Sequence, residues 1–228
     1  MSTNEVVPTP GLVRWAVLVP VKRLELAKSR LEGYDPEARG RLALAFAADV
    51  VTAVLRCPSV ARTLVVTDDP LAARTLAALG ADVVPDGGGA DLSGPGAELA
   101  RTGLNGALAR AATLVGPLAA LGVAVVPADL PALTSEDLAT TLRAVPRGGR
   151  AFVCDLEGRG TTLLAASPGC LLGAAYGPDS RSRHLASGAV ELAGTAALRR
   201  DVDDRNHLVE AARLGVGGHT TAVLDALG

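Results

Sequence analysis

The stretch GVAVVPADLPALTSED, residues 122–137, decides how this chain is read. Its first seven residues, GVAVVPA, form a small, apolar, β-branched run of the kind that fills a strand buried on both faces. The run stops at Pro127. A single carboxylate, Asp129, follows, and Pro131 closes the bracket. Thr134 or Ser135 then stands in the position of a helix cap, with Glu136 and Asp137 in the first turn, where acids complement the helix dipole. Strand, acid and helix in that order make one unit of an open α/β sheet, whose ligands bind beyond the carboxyl ends of its strands.

The same alternation extends toward the N-terminus. WAVLVPV (15–21), TLVVTD (63–68) and ADVVPD (81–86) read as further strands. Helical spacing covers 36–56, where Asp35 can cap and Pro36 suits a first turn. It also covers 70–80, stopping at Gly80, and 97–115. Between them GGGADLSGPG (87–96) reads as a mobile loop. Repeated β-α-β units predict a mostly parallel sheet with helices on both faces. After about residue 148 the rhythm changes. RAFVCDLEGRGTTLLAAS (150–167) reads as two strands joined by a glycine-containing turn, and YGPDSRSRHLASG (176–188) as a loop entering a short helix. LRRDVDD (198–204) reads as a strand leading into a last helix over 204–214. Residues 1–13 are expected to form a loose arm and 14–228 a single domain.

Composition narrows the function. A formal net charge of −2 supplies no basic excess for nucleic acid, and no apolar run approaches a membrane span. Cys57, Cys154 and Cys170 lack metal-ligand spacing and read as apolar thiols, which suits a reducing cytoplasm. His184, His207 and His219 are too scattered to suggest a histidine metal site. Among 22 basic residues only Lys22 and Lys28 are lysines. A general arginine bias explains why lysine is rare. It does not explain why both survivors lie in one segment, VPVKRLELAKSRL (19–31), beside Arg23 and Arg30.

Three charged clusters therefore fall at expected strand exits: the basic segment, Asp129, and Asp201 with Asp203 and Asp204. In an extended chain Asp201 and Asp203 share a face. Cations for phosphates and grouped carboxylates for Mg²⁺ are what nucleotide chemistry needs. Taken singly, each cluster has a plainer reading: a solvated amphipathic helix, a turn aspartate, and a helix cap, the last being the better reading for Asp204. YGPDSRSRH offers Gly177 and Ser180 as an anion site, or an ordinary capped loop. GRGTT (158–162) turns a hairpin and delivers Thr161. No GxxxxGK[ST] loop is present, and no GxGxxG follows the first strand.

Taken together, VPVKRLELAKSRL, PADLP, GTTLL, YGPDSRSRH with GAVEL, and LRRDVDD resemble, in this order, the phosphoenolpyruvate and 2-phospho-L-lactate guanylyltransferases of coenzyme F-420 biosynthesis. The resemblance spans about residues 15–215. It implies a Rossmann-like nucleotidyltransferase fold and attack of a substrate phosphate on the α-phosphorus of GTP. It implies Mg²⁺ on Asp129, Asp201 and Asp203, with Lys22, Lys28 and Asp129 as catalytic residues. Lys22, Lys28, Arg30 and Asn105 would serve the nucleotide, and Thr161, Gly177 and Ser180 the acceptor. Pro127 and Pro131 would then hold Asp129 rigidly over the sheet end. Arg159, inside the hairpin turn, departs from the pattern and bears on how Thr161 closes on the substrate. The arginine- and alanine-rich style points to a high-GC bacterium and so to phosphoenolpyruvate, with 2-phospho-L-lactate as the alternative acceptor. A downstream enzyme would accept the unstable product. A GTP-binding module without turnover is the competing class, and a sugar-phosphate nucleotidyltransferase is a third reading.

Overall fold

The computed structural model describes residues 13–26, 28, 30–86, 103–115 and 120–228. The expected arm, the glycine-rich loop 87–96 and the start of the helix expected from 97 lie largely or wholly outside them. Seven strands form one sheet: β1 (Trp15–Pro20), β2 (Val60–Val66), β3 (Asp82–Val84), β4 (Gly122–Val125), β5 (Arg150–Val153), β6 (Leu163–Ala166) and β7 (Val190–Glu191). Their spatial order is β3-β2-β1-β4-β6-β5-β7.

The pairing places the site. β1 runs parallel to both neighbours, with Leu18 opposite Leu64 of β2 and Val125 of β4. The chain first builds outward from β1 through β2 to β3, then crosses to β4 on the other side. The direction of winding therefore reverses between β1 and β4, and the loops leaving their carboxyl ends diverge into a crevice. The hairpin of β5 and β6 extends the sheet from β4 with antiparallel pairing, and the short β7 adds parallel to β5.

Helices cover both faces. On one lie α1 (Pro36–Arg56), α2 (Pro70–Ala78) and α4 (Ser135–Arg143), and on the other α3 (Leu104–Thr113). The smaller helices are α5 (Ser180–Ala186), α6 (Ala196–Arg199), α7 (Arg205–Leu214) and α8 (Gly218–Leu227). The starts follow the sequence. Asp35 Oδ1 accepts from Ala38 N at 2.8 Å, and Thr134 and Asp137 form a reciprocal capping box. Asp204 caps α7 through His207 N at 2.9 Å. Alanine dominates the buried face of α1, so the helix packs close to the sheet. Its Phe46 is fully buried against Leu31, Val202 and Leu208, and burial of that kind contributes about 1.5–3 kcal/mol. At the amino end of the sheet, Trp15 lies flat against Gly122, where a Cβ would collide with the indole. No described helix is long and apolar enough to cross a membrane.

Two expectations need correction. Residues 198–204 are not a strand. α6 occupies the first of them under a Thr195 cap, and the rest run extended without a ladder partner. The alternation that suggested a strand is real: Arg200 and Val202 are buried, whereas Asp201 and Asp203 turn to the opposite side. Alternation describes any extended chain, and a strand also needs a neighbour. Here Val202 N makes a backbone bond to Asp129 O at 2.9 Å. The last helix is likewise not 204–214, because α8 follows it. Its cap comes from Asp49 in α1, which accepts from His219 N and Thr220 N at 3.0 and 2.9 Å.

Candidate active site

The basic segment leaves β1 with Val21 N still bonded to Val66 O. It makes a 3-10 turn at Leu24–Leu26, and Leu24 N donates to Asp69 Oδ2 at 2.9 Å. The other oxygen of Asp69 caps α2 through Leu71 N and Ala72 N. One aspartate thus fastens the β1 loop to the start of α2. Beyond the turn, Lys28 adopts a left-handed backbone with φ 54°. Such a conformation costs a non-glycine residue about 1–3 kcal/mol and is retained where surrounding contacts determine it. Lys28 Nζ stands 2.8 Å from Asp129 Oδ2 and 3.4 Å from Asp203 Oδ1.

The acids arrive from two separate loops. Asp129 follows β4, and its carbonyl is held by Val202 N. Pro131 O accepts from Gly217 N at 2.9 Å, so the proline bracket is tied down on its far side as well. Asp201 and Asp203 come from the extended 200–204 segment. Carboxylate oxygens of Asp129, Asp201 and Asp203 lie within 4.8 Å of one another. Asp129 Oδ1 and Asp201 Oδ1 are buried without a hydrogen-bond partner. Burial, followed by the charges of Asp129 and Asp203, pushes the Asp201 carboxyl up to about 7. Burial alone would lower the Lys28 ammonium, but Asp129, Asp203 and Asp201 outweigh it and hold it above the ordinary lysine value. Orphaned buried carboxylate oxygens are expensive. Three oxygen donors grouped this closely fit a hard divalent cation. No histidine or cysteine belongs to this group, and the three cysteines are free thiols. Cys57 and Cys154 are buried as expected, whereas Cys170 is only partly so.

The opposite part of the crevice is built by the hairpin and the segment before α5. Asp155 accepts from Arg159 N at 2.8 Å and Gly160 N at 2.6 Å, which folds the turn onto its own carboxylate. A Cβ at Gly160 would collide with that carboxylate. Arg159 O in turn accepts from Arg181 N, and the Arg159 side chain lies exposed, 3.7 Å from Asp179. Thr161 emerges buried beside Ser180, with Ser180 Oγ donating to Thr161 Oγ1 at 3.0 Å. Gly177 has φ 125°, a conformation that favours glycine. Asn105 of α3 accepts from Tyr176 N at 2.8 Å and donates to Tyr176 O at 3.0 Å. Its amide is therefore engaged by backbone next to Gly177.

A cleft of about 590 Å³ unites these parts. Lys22, Lys28 and Arg30 border it from the β1 loop, the three aspartates from the β4 loop and the 200–204 segment, and Thr161, Gly177 and Ser180 from the acceptor side. Of the catalytic, metal-binding, nucleotide and acceptor residues that the resemblance implies, Asn105 alone is not among those lining it. Three participants escaped the sequence reading: Asp69, Asp155 and His184. The first two act through backbone N–H groups, and no residue pattern announces that. His184 stands within YGPDSRSRH, but no residue pattern shows which distant groups its ring meets.

The chain is 50% identical over 218 residues to the phosphoenolpyruvate guanylyltransferase of Streptomyces coelicolor, covering 94% of this chain and 98% of that protein. It is 46% identical over 212 residues to the phosphoenolpyruvate guanylyltransferase of Thermomonospora curvata, covering 92% and 88%. Among solved structures it resembles a nucleotidyl transferase from Methanothermobacter thermautotroptrophicus, with a TM-score of 0.59 over 90% of this chain and 98% of that one. At 17% identity that likeness speaks for the fold alone. No protein-family model matches the chain.

Proposed function

The chain belongs to the phosphoenolpyruvate guanylyltransferase family, and from that premise we propose that it transfers GMP from GTP to phosphoenolpyruvate. The products are enolpyruvoyl-2-diphospho-5'-guanosine and pyrophosphate, the former passing to a downstream enzyme of coenzyme F-420 biosynthesis. One observation carries the site assignment. Lysines, carboxylates and hydroxyls drawn from five separate parts of the chain line one cleft at the reversal point of a nucleotidyltransferase sheet.

In the reaction an oxygen of the acceptor phosphate attacks the α-phosphorus of GTP. The bond from that phosphorus to the bridging oxygen breaks, and pyrophosphate leaves with the electron pair. The attacking oxygen is already anionic, so no general base is required. Two anions must be brought together, and catalysis rests on positioning and charge compensation. Lys22 and Arg30 receive the triphosphate. Lys28 has three N–H donors, so it can keep Asp129 and still offer one to a phosphate. Asp129, Asp201 and Asp203 would hold Mg²⁺, which supplies charge neutralisation at the phosphoryl oxygens. Thr161, Gly177 and Ser180 receive the acceptor. Asn105 serves the site by holding Tyr176 and hence Gly177.

The test is pyrophosphate release from GTP and Mg²⁺ with phosphoenolpyruvate or 2-phospho-L-lactate, coupled to pyrophosphatase and a trap for the product. Release with phosphoenolpyruvate is expected. Release with phospholactate alone would overturn the acceptor, and GTP binding without release from either would overturn turnover itself.

A further inference from the structure

His184 is fully buried in α5, and both of its ring nitrogens are engaged. Nε2 lies 3.1 Å from Ala175 N, and Nδ1 lies 2.9 Å from Thr161 Oγ1. A backbone N–H can only donate, so Nε2 accepts. In the neutral ring the proton then sits on Nδ1 and is donated to Thr161. Ser180 Oγ donates to the same threonine oxygen at 3.0 Å. Both lone pairs of Thr161 Oγ1 are thereby used. Its own hydrogen must point elsewhere, and Thr161 lines the cleft.

We propose that His184 is the positioning residue of the acceptor pocket, setting the Thr161 hydroxyl as a hydrogen-bond donor toward an anionic group of the acceptor while tying the 175–177 backbone to the same imidazole. This rests on the reading that Thr161, Gly177 and Ser180 receive the acceptor. The polarity runs one way from end to end: Ala175 N–H to Nε2, Nδ1–H to Thr161, Thr161 O–H into the cleft. A threonine without that constraint could equally present a lone pair, which would repel a carboxylate or phosphate.

The surroundings keep the ring in this state. Phe152 of β5 packs at 5.7 Å between centroids, and Tyr176 meets the ring edge-on at 5.5 Å. The charged groups facing it are Arg150 and Arg183, and neither favours a second positive charge. Burial, with those two arginines, lowers the imidazole to about 4, so it is neutral at physiological pH. The same ring joins two stretches that meet only in the folded chain. Thr161 comes from the hairpin, and Ala175 precedes Tyr176, whose N and O are clasped by Asn105. Gly177 is next in the chain.

Two measurements test this. In ¹⁵N NMR of the full-length protein near pH 7, His184 should show a protonated Nδ1 and an unprotonated Nε2. The other tautomer, or an imidazolium, would overturn the assignment without any variant. In steady-state kinetics His184→Phe removes donor and acceptor but keeps an aromatic ring, whereas His184→Asn restores a donor near Nδ1. His184→Phe should raise KM for phosphoenolpyruvate by about 10- to 100-fold and leave KM for GTP within about twofold, with His184→Asn recovering much of the loss. Parallel rises in both KM values, or His184→Asn no better than His184→Phe, would refute the role. If His184→Phe does not fold, the NMR result and the His184→Asn constants decide alone. Wild-type protein that releases no pyrophosphate with phosphoenolpyruvate would overturn the functional reading and this assignment together. An active wild type whose His184→Phe variant keeps its KM for phosphoenolpyruvate would overturn this assignment alone.

Discussion

Replacing Asp201 by Asn should stabilise the cation-free protein while destroying its turnover. Asp201 is raised from the ordinary carboxylate value to about 7, first by burial and then by Asp129 and Asp203. Between about pH 4 and 7 the folded chain therefore holds a proton that the unfolded chain has released. Stability contributed by this group falls as pH rises through that window. The shift of about three units corresponds to about 4 kcal/mol lost above pH 7, and about half that is already lost at pH 5.5. Asn carries no charge, so the advantage of Asp201→Asn over wild type should widen by about 2 kcal/mol between pH 5.5 and 8. In a chain of this length that is about 4–8 °C in melting temperature. His184, lowered to about 4, acts in the opposite sense: its contribution is lost as pH falls from about 6.5 toward 4. Wild type alone would therefore show a nearly flat profile, and only the difference between the two proteins isolates Asp201. Thermal melts with a chelator at pH 5.5 and 8 read that difference. Added Mg²⁺ should raise the wild-type melting temperature and leave Asp201→Asn unmoved. A variant less stable than wild type at pH 8, or a gap that does not widen with pH, would refute burial and crowding of the Asp201 carboxylate as the physical basis of the site.

Asp129→Ala should abolish pyrophosphate release while circular dichroism shows the fold intact, and near-normal turnover would contradict the mechanism. Lys22 is exposed, so Lys22→Ala should leave the denaturation midpoint unchanged and raise KM for GTP by about tenfold or more, read from initial rates. Asp49→Ala should cost about 1–2 kcal/mol in urea unfolding by uncapping α8, with kcat and both KM values preserved.

Much of the architecture was legible because its causes are local. Buried strands are apolar runs, and α1, α4 and α7 begin at side chains that cap their own first turns. Asp35 and Asp204 could be named from the residues alone, and Thr134 as one of two candidates with Ser135. α8 was not legible because its start has no local side-chain cap. The cap is Asp49, and a Cβ at Gly217 would collide with it. The 200–204 segment shows the converse. Its alternation correctly put Asp201 and Asp203 on one side, but no strand lies beside it to make a ladder. β7, two residues long, carries no pattern at all.

The sequence by itself determined which chemistry this chain can hold: two lysines and two arginines after the first strand, a proline-bracketed acid after another, and a pair of acids near the end. These follow from residue type and spacing, which tertiary contacts do not alter. The tertiary structure decided how those groups meet. Lys28 and Asp129 are 101 positions apart in the chain and 2.8 Å apart in space because winding reverses between β1 and β4. It alone buried Asp201 and set Asp129 and Asp203 beside it, which together raise its carboxyl. It alone seated His184 between Thr161 and Ala175, where hydrogen-bond direction, a property of contacts between distant segments, is set.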